Sequence, residues 1–137
     1  MTIDSTRTAG DRPIRPYITT TVARVSPDAT LAEVAEKLNA AEIGALVVAS
    51  GTQTVDGIIS ERDLIHAIAN GRNLTTTRAS EVASTQFLSA TPTDSIGSLA
   101  ATMLESDVRH IVIRARGELI GIVSIRDLLR ALVQGIA

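Results

Sequence analysis

Cysteine is absent from this 137-residue chain, which removes disulfides, thiolate nucleophiles and Cys-based metal sites together. The absence is compatible with a reducing, cytoplasmic setting. Tryptophan is missing too, and Tyr17 and Phe87 are the only aromatic side chains, so single-strand nucleic-acid binding by base stacking has no platform. Charge of one sign is not in excess: thirteen basic residues face fifteen acidic ones for a net charge of −2, interspersed along the chain. No field for a polyanion results, and nucleic acid is not expected as a partner. No apolar run approaches the roughly 18 residues that span a bilayer, and a basic start followed by an apolar signal region is lacking. A soluble, unexported protein with no membrane partner is the expectation.

What is present is an aliphatic chain that repeats itself. Apolar residues make up 45%, so the core must come from Val, Ile, Leu and Ala at high density. Residues 1–16 mix Thr, Asp, Arg, Gly and two prolines with no apolar period, which reads as a flexible N-terminal tail or strap. Beyond them, Pro27 recurs as Pro92, Ala35 as Ala100, Ile43 as Val108 and Val47 as Val112, all 65 positions on. Gly57, Ile58, Ser60, Arg62, Asp63, Leu64 and Ala67 then recur 64 positions on as Gly121, Ile122, Ser124, Arg126, Asp127, Leu128 and Ala131. One residue is lost in the intervening turn, where a length change is tolerated.

Each copy spells the same order of elements. Thr30-Leu-Ala-Glu33 is a capping box opening a helix with Leu31, Val34, Ala35 and Leu38 on one face, and Ser95 precedes Ile96, Leu99, Ala100 and Met103. Short apolar runs follow at 45–49 and 111–113, a turn marked by Gly51 or Gly117, and second runs at 55–59 and 119–123. A final helix begins near Asp63 or Asp127 and ends near Asn70-Gly71 or Gln134-Gly135. The expected fold class is α+β, two β-α-β-β-α repeats at 17–75 and 76–137. Each is too small to be stable alone, so the two are expected to pack about a pseudo-twofold axis, with a ligand cleft lined by both.

The sequence resembles the cystathionine-beta-synthase (CBS) domain pair, or Bateman module, from about Tyr17 to Val133. Gly57-Ile-Ile-Ser-Glu-Arg-Asp63 and Gly121-Ile-Val-Ser-Ile-Arg-Asp127 carry the resemblance, preceded by Ile43-Gly-Ala-Leu-Val-Val48 and Val108-Arg-His-Ile-Val-Ile113. It implies that the Asp of each motif binds the ribose hydroxyls of an adenosine ligand, while the Ser three residues earlier lies near ribose or phosphate. A carboxylate can accept from both hydroxyls of a cis-diol, and a strand-to-helix junction offers phosphate a dipole and free amides. By this analogy the better site combines Asp127, Ser124 and Arg109 or His110 with an adenine wall of Val22, Ile43, Gly44, Ala45 and Ile122. The second site would use Asp63, Ser60, Ile58 and Val108, with Phe87 or Thr85.

The plainer alternatives are specific. Ser-x-x-Asp at a helix start is also a capping pattern, and Arg109-His110 is also a strand-flanking pair with one residue exposed and one packed. His66 reads as a surface or interface residue without metal-ligand spacing, so no metal site is expected. No nucleophile, base and carboxylate relay can be assembled, so no catalytic residue and no enzyme activity are expected. The resemblance implies a non-catalytic regulatory module that requires no cofactor and binds AMP, ADP or ATP as regulatory ligand. It also implies a homodimer through the final helices, and a separately encoded protein as the regulated partner. The alternatives are a dimerisation or protein-interaction domain with empty clefts, or a module for NADH or S-adenosylmethionine.

Overall fold

The computed structural model describes residues 9–52 and 54–136; positions 1–8 of the expected tail lie outside that range. Val22–Phe87 form one compact unit, and Leu88 onward, with the described residues up to Thr21, form the other. Each unit has a three-stranded sheet of the same construction. In the first, β1 (Arg24–Val25) runs parallel to β2 (Ala45–Val48), which pairs antiparallel with β3 (Gly57–Ser60). In the second, β4 (Ser89–Ala90), β5 (His110–Ala115) and β6 (Glu118–Ser124) repeat that order. The helices are α1 (Leu31–Ala41), α2 (Glu61–Ala69), α3 (Ala79–Val82), α4 (Ile96–Ser106) and α5 (Ile125–Ile136).

Local chemistry sets the helix ends. Thr30 Oγ1 accepts from the Glu33 amide at 3.2 Å and Glu33 Oε1 accepts from the Thr30 amide at 3.5 Å, so the expected capping box forms. Leu31, Val34 and Leu38 then fall on one buried face against Leu46, Val48 and Ile59. α1 and α4 close in the same way, on Glu42 and Asp107 in the left-handed region (φ 55° and 52°). A Schellman-type bond follows in each, from the Ile43 amide to Leu38 O at 3.2 Å and from the Val108 amide to Met103 O at 3.1 Å. These closures swing residues 43 and 108 off the helix ends and into the next strand. The Lys37 ammonium caps the Arg24 carbonyl on β1, the outer strand of the first sheet.

The two compact units divide between Thr21 and Val22 and between Phe87 and Leu88, and a single feature accounts for both places. Residues 12–19 and 77–84, 65 positions apart, are equivalent lead-in segments: 77–84 dock on the first unit, and 12–19 dock on the second. The Leu31 amide bonds Thr77 O and the Ile96 amide bonds Arg12 O; the Ala79 amide bonds Ala29 O and the Ile14 amide bonds Asp94 O. The described part of the supposed tail is therefore a strap. Ile14 is fully buried beside Ile96, Leu99 and Leu128, a burial worth roughly 1.5–3 kcal/mol, and its counterpart Ala79 is fully buried in the first core.

Each lead-in ends on the sheet edge formed by β3 or β6. Ser84 and Ile58 exchange two backbone bonds of 2.8 and 2.9 Å, and Thr19 and Ile122 exchange two of 3.0 and 3.1 Å. The approach is close enough to require glycine on β3 and β6. A Cβ at Gly57 would lie 2.8 Å from Ser84 O, and one at Gly121 would lie 2.4 Å from Thr19 O. Gly121→Ala should accordingly destabilise the protein by about 1–3 kcal/mol or more in urea unfolding; an unchanged midpoint would mean that the strap yields without cost.

Candidate functional site

The two Ser-x-x-Asp motifs sit where β3 passes into α2 and β6 into α5. Ser60 is in extended conformation (φ −111°) as the N-cap of α2. Its Oγ accepts from the Asp63 amide at 3.2 Å, while Asp63 Oδ2 accepts from the Ser60 amide at 2.8 Å and from the Ser60 hydroxyl at 2.9 Å. Ser124 and Asp127 repeat these three bonds at the same distances. The capping reading of the motif is thus real in both halves. One carboxylate oxygen is committed to the helix end, and a diol or phosphate must be met by what remains. Asp127 Oδ1 lies 3.5 Å from the Arg130 guanidinium, and the Asp127 side chain is 14% exposed.

The helix amides are less available than the sequence suggested. The first amide of α2, from Glu61, donates to Gly44 O at 2.9 Å, and that of α5, from Ile125, donates to Arg109 O at 2.8 Å; the third amide of each helix is held by the serine. An anion at either junction would therefore rely on side-chain cations and the helix dipole more than on free N–H groups. The same bonds bring residues 44 and 109 to the helix starts. In the second half Arg109 is exposed, and His110 opens β5 in register with Ser124. In the first half the corresponding places hold Gly44 and Ala45, with Ala45 buried and in register with Ser60. A cation can stand beside one Ser–Asp pair and not beside the other.

The remaining candidates fall into the two halves as follows. Ile122 lies on β6, partly buried, with Thr19 across it, and Val108 precedes Arg109. Ile58 is buried on β3 with Ser84 across it, Ile43 precedes Gly44, and Val22 leads into β1. Sequence reading missed Thr19 and Ser84, both exposed and each opposite the apolar residue two places before the capping serine. Their separation of 65 positions was the available signal. Of the residues named from the resemblance beside Asp63, Thr85 and Phe87 follow Ser84 in the same segment.

A groove of about 810 Å³ in the first half is lined instead by β1 and α1, including Arg24, Ser26, Glu33, Glu36 and Lys37. It contains none of the candidate residues, and its mixed charges select no ligand. Among the described residues no three His, Asp or Glu side chains gather to hold a metal ion, and no helix is long and apolar enough to cross a membrane.

Comparison with known proteins adds to this geometry. The family model for the CBS domain matches residues 14–70 and again 79–134. The chain is 33% identical over 117 residues to the CBS domain-containing protein YhcV of Bacillus subtilis, covering 84% of this chain and 81% of that protein. A CBS-domain containing protein from Agrobacterium tumefaciens superposes with a TM-score of 0.78 at 32% identity, over 82% of this chain and 84% of its own. A CBS domain protein from Pyrobaculum aerophilum, solved in complex with AMP, superposes with a TM-score of 0.77 at 26% identity, over 89% and 98% of the two chains.

Because the caps are alike, Ser60→Ala and Ser124→Ala should each cost about 1 kcal/mol in urea unfolding. The double variant should lose close to the sum, since the two helices share no bonds at these serines. A cost confined to one serine would mean that the shared geometry does not reflect equal work.

Proposed function

The chain belongs to the CBS-domain family, and from that premise we propose that it is a non-catalytic regulatory module that binds an adenine nucleotide at its Ser–Asp junctions. The observation that carries this reading is the duplicated pair itself: two serines and two aspartates in one geometry, with Arg109 beside one pair only. In the leading site Asp127 accepts from ribose hydroxyls with the carboxylate capacity the cap leaves over. Ser124 turns its remaining lone pair to the ligand, and Arg109, with His110, supplies the cation for phosphate. Ile122 offers an apolar surface for the base. Asp63, Ser60 and Ile58 form the weaker site, which lacks a cation at Gly44. The AMP complex of the Pyrobaculum relative supports the ligand class.

A second reading has its own support. Ile65 and Ile68 on α2 are 63% and 57% exposed, and Leu129 and Val133 on α5 are 56% and 65% exposed. These apolar stripes occupy corresponding helices of the two repeats, and large exposed apolar residues in series mark association surfaces. We assign them to a homodimer, which either serves the nucleotide sensor or, if no nucleotide binds, is the function. A regulated partner protein belongs to the same proposal.

Calorimetric titration with AMP, ADP, ATP, NADH and S-adenosylmethionine tests the ligand. An adenine nucleotide should bind, and Asp127→Ala should weaken it by about 10- to 100-fold, as for loss of hydrogen bonds to a charged group. Asp63→Ala should do less. Absence of heat with all five compounds would leave the association reading in its place. Light scattering tests the dimer: the wild-type chain should have twice the monomer mass and Leu129→Glu the monomer mass, and a monomeric wild type would refute it.

A further inference from the structure

The two lead-in segments are built alike but are not held alike. In the segment on the first half, the Arg78 amide donates to Glu81 Oε2 at 2.7 Å and the Glu81 amide donates to Arg78 O at 3.0 Å. Arg78 also pairs with Asp28 at 3.0 Å, and Glu81 with Arg72 at 3.1 Å. The equivalent positions of the strap are Pro13 and Pro16, which have no amide to donate and no charge to pair. The four-residue helix α3 is accordingly replaced by a single 3-10 turn at Arg15–Tyr17. The strap is held by the Ile14 side chain with Tyr17 and Ile18 packed beside it, by the bonds of Arg12 and Ile14 to the start of α4, and by the pair of bonds between Thr19 and Ile122. Segments with few bonds open locally at a small fraction of the global unfolding free energy. The last of these bonds lies on β6, two residues before Ser124.

We propose that the strap, residues 12–19, is a latch whose docking is coupled to the ligand at Ser124 and Asp127. This rests on the reading of that junction as a nucleotide site. A nucleotide held by Ser124 and Asp127 fixes the end of β6, and β6 in turn holds the strap through Ile122. Docking of the strap likewise fixes β6 for the nucleotide, and the two effects are equal by linkage. The lead-in on the first half has the Arg78–Glu81 bond pair in addition, with two exposed ion pairs that add little, and should open less readily. Ligand occupancy would thereby be reported on the strap, which leads through Thr20 and Thr21 into Val22.

Amide hydrogen exchange on the full chain, with AMP as the probe, tests this alongside calorimetry. Without AMP, the Ile14 and Thr19 amides should exchange about tenfold or more faster than their counterparts Ala79 and Ser84. Saturating AMP should slow Ile14 and Thr19 by about tenfold, within the ordinary range of coupling between sites, and leave Ala79 unchanged. Ile14→Val, a mild loosening remote from the junction, should speed Ile14 and Thr19 exchange in the free protein, while saturating AMP slows both by the same factor as in the wild-type chain, because the coupling is set at the junction and not by the strap's own packing. The coupling is wrong if AMP binds with measurable heat while Ile14 exchange stays the same. It is also wrong if the strap amides are already as protected as Ala79 and Ser84. Absence of binding by AMP, ADP and ATP alike in the calorimetry would sink the nucleotide reading and the latch together, an outcome distinct from binding without protection.

Discussion

Backbone pairing along the β3 and β6 edges of the two sheets is the constraint on which this architecture depends. A three-stranded sheet in a half of this size leaves an edge of unpaired amides and carbonyls. Each half covers that edge with a segment borrowed from outside its own repeat: Ser84 on Ile58, and Thr19 on Ile122. The motif glycines Gly57 and Gly121 exist for this approach, since any side chain there would strike the borrowed backbone. Their place in the sequence motif thus has a packing cause that precedes any ligand chemistry.

The same economy governs the serine and aspartate. One pair of side chains terminates a strand, starts a helix and presents the remaining oxygen capacity at a junction of elements. Helix capping and ligand recognition draw on different atoms of the same carboxylate. A variant at Asp127 therefore changes fold stability and ligand affinity at once, and the two must be measured separately to be told apart. The asymmetry between halves is more informative than their likeness: with equal caps, the cation at 109 against glycine at 44 is what distinguishes one junction from the other.

Much of this was legible in the residues. The repeat, the Thr30 capping box, the paired strands and the Ser-x-x-Asp helix starts all follow from side-chain type and spacing, because each is a local signal. Where the strap docks was not legible for the opposite reason. Ile14 and Ala79 are single apolar residues without a period, and their docking runs through carbonyls of residues that no side-chain pattern marks. The expectation of free amides at the helix starts failed in the same way. Gly44 and Arg109 were read by their side chains, whereas it is their carbonyl oxygens that meet Glu61 and Ile125. Backbone partners far apart in sequence leave no trace in composition.

The borrowing of lead-ins also sets an order of events as the chain leaves the ribosome. The first unit is contiguous, Val22–Phe87, and every bond that closes it is available once Phe87 has emerged. The second cannot close until Ile14 meets Asp94, about 80 positions downstream, and it must pay the entropy of that long loop. If the first unit has folded by then, much of that loop is already compact, and the closure is shorter than the sequence separation implies. Synthesis from the N-terminus thus presents the two halves, alike in design, with unequal folding problems, and leaves the harder one until the easier is solved.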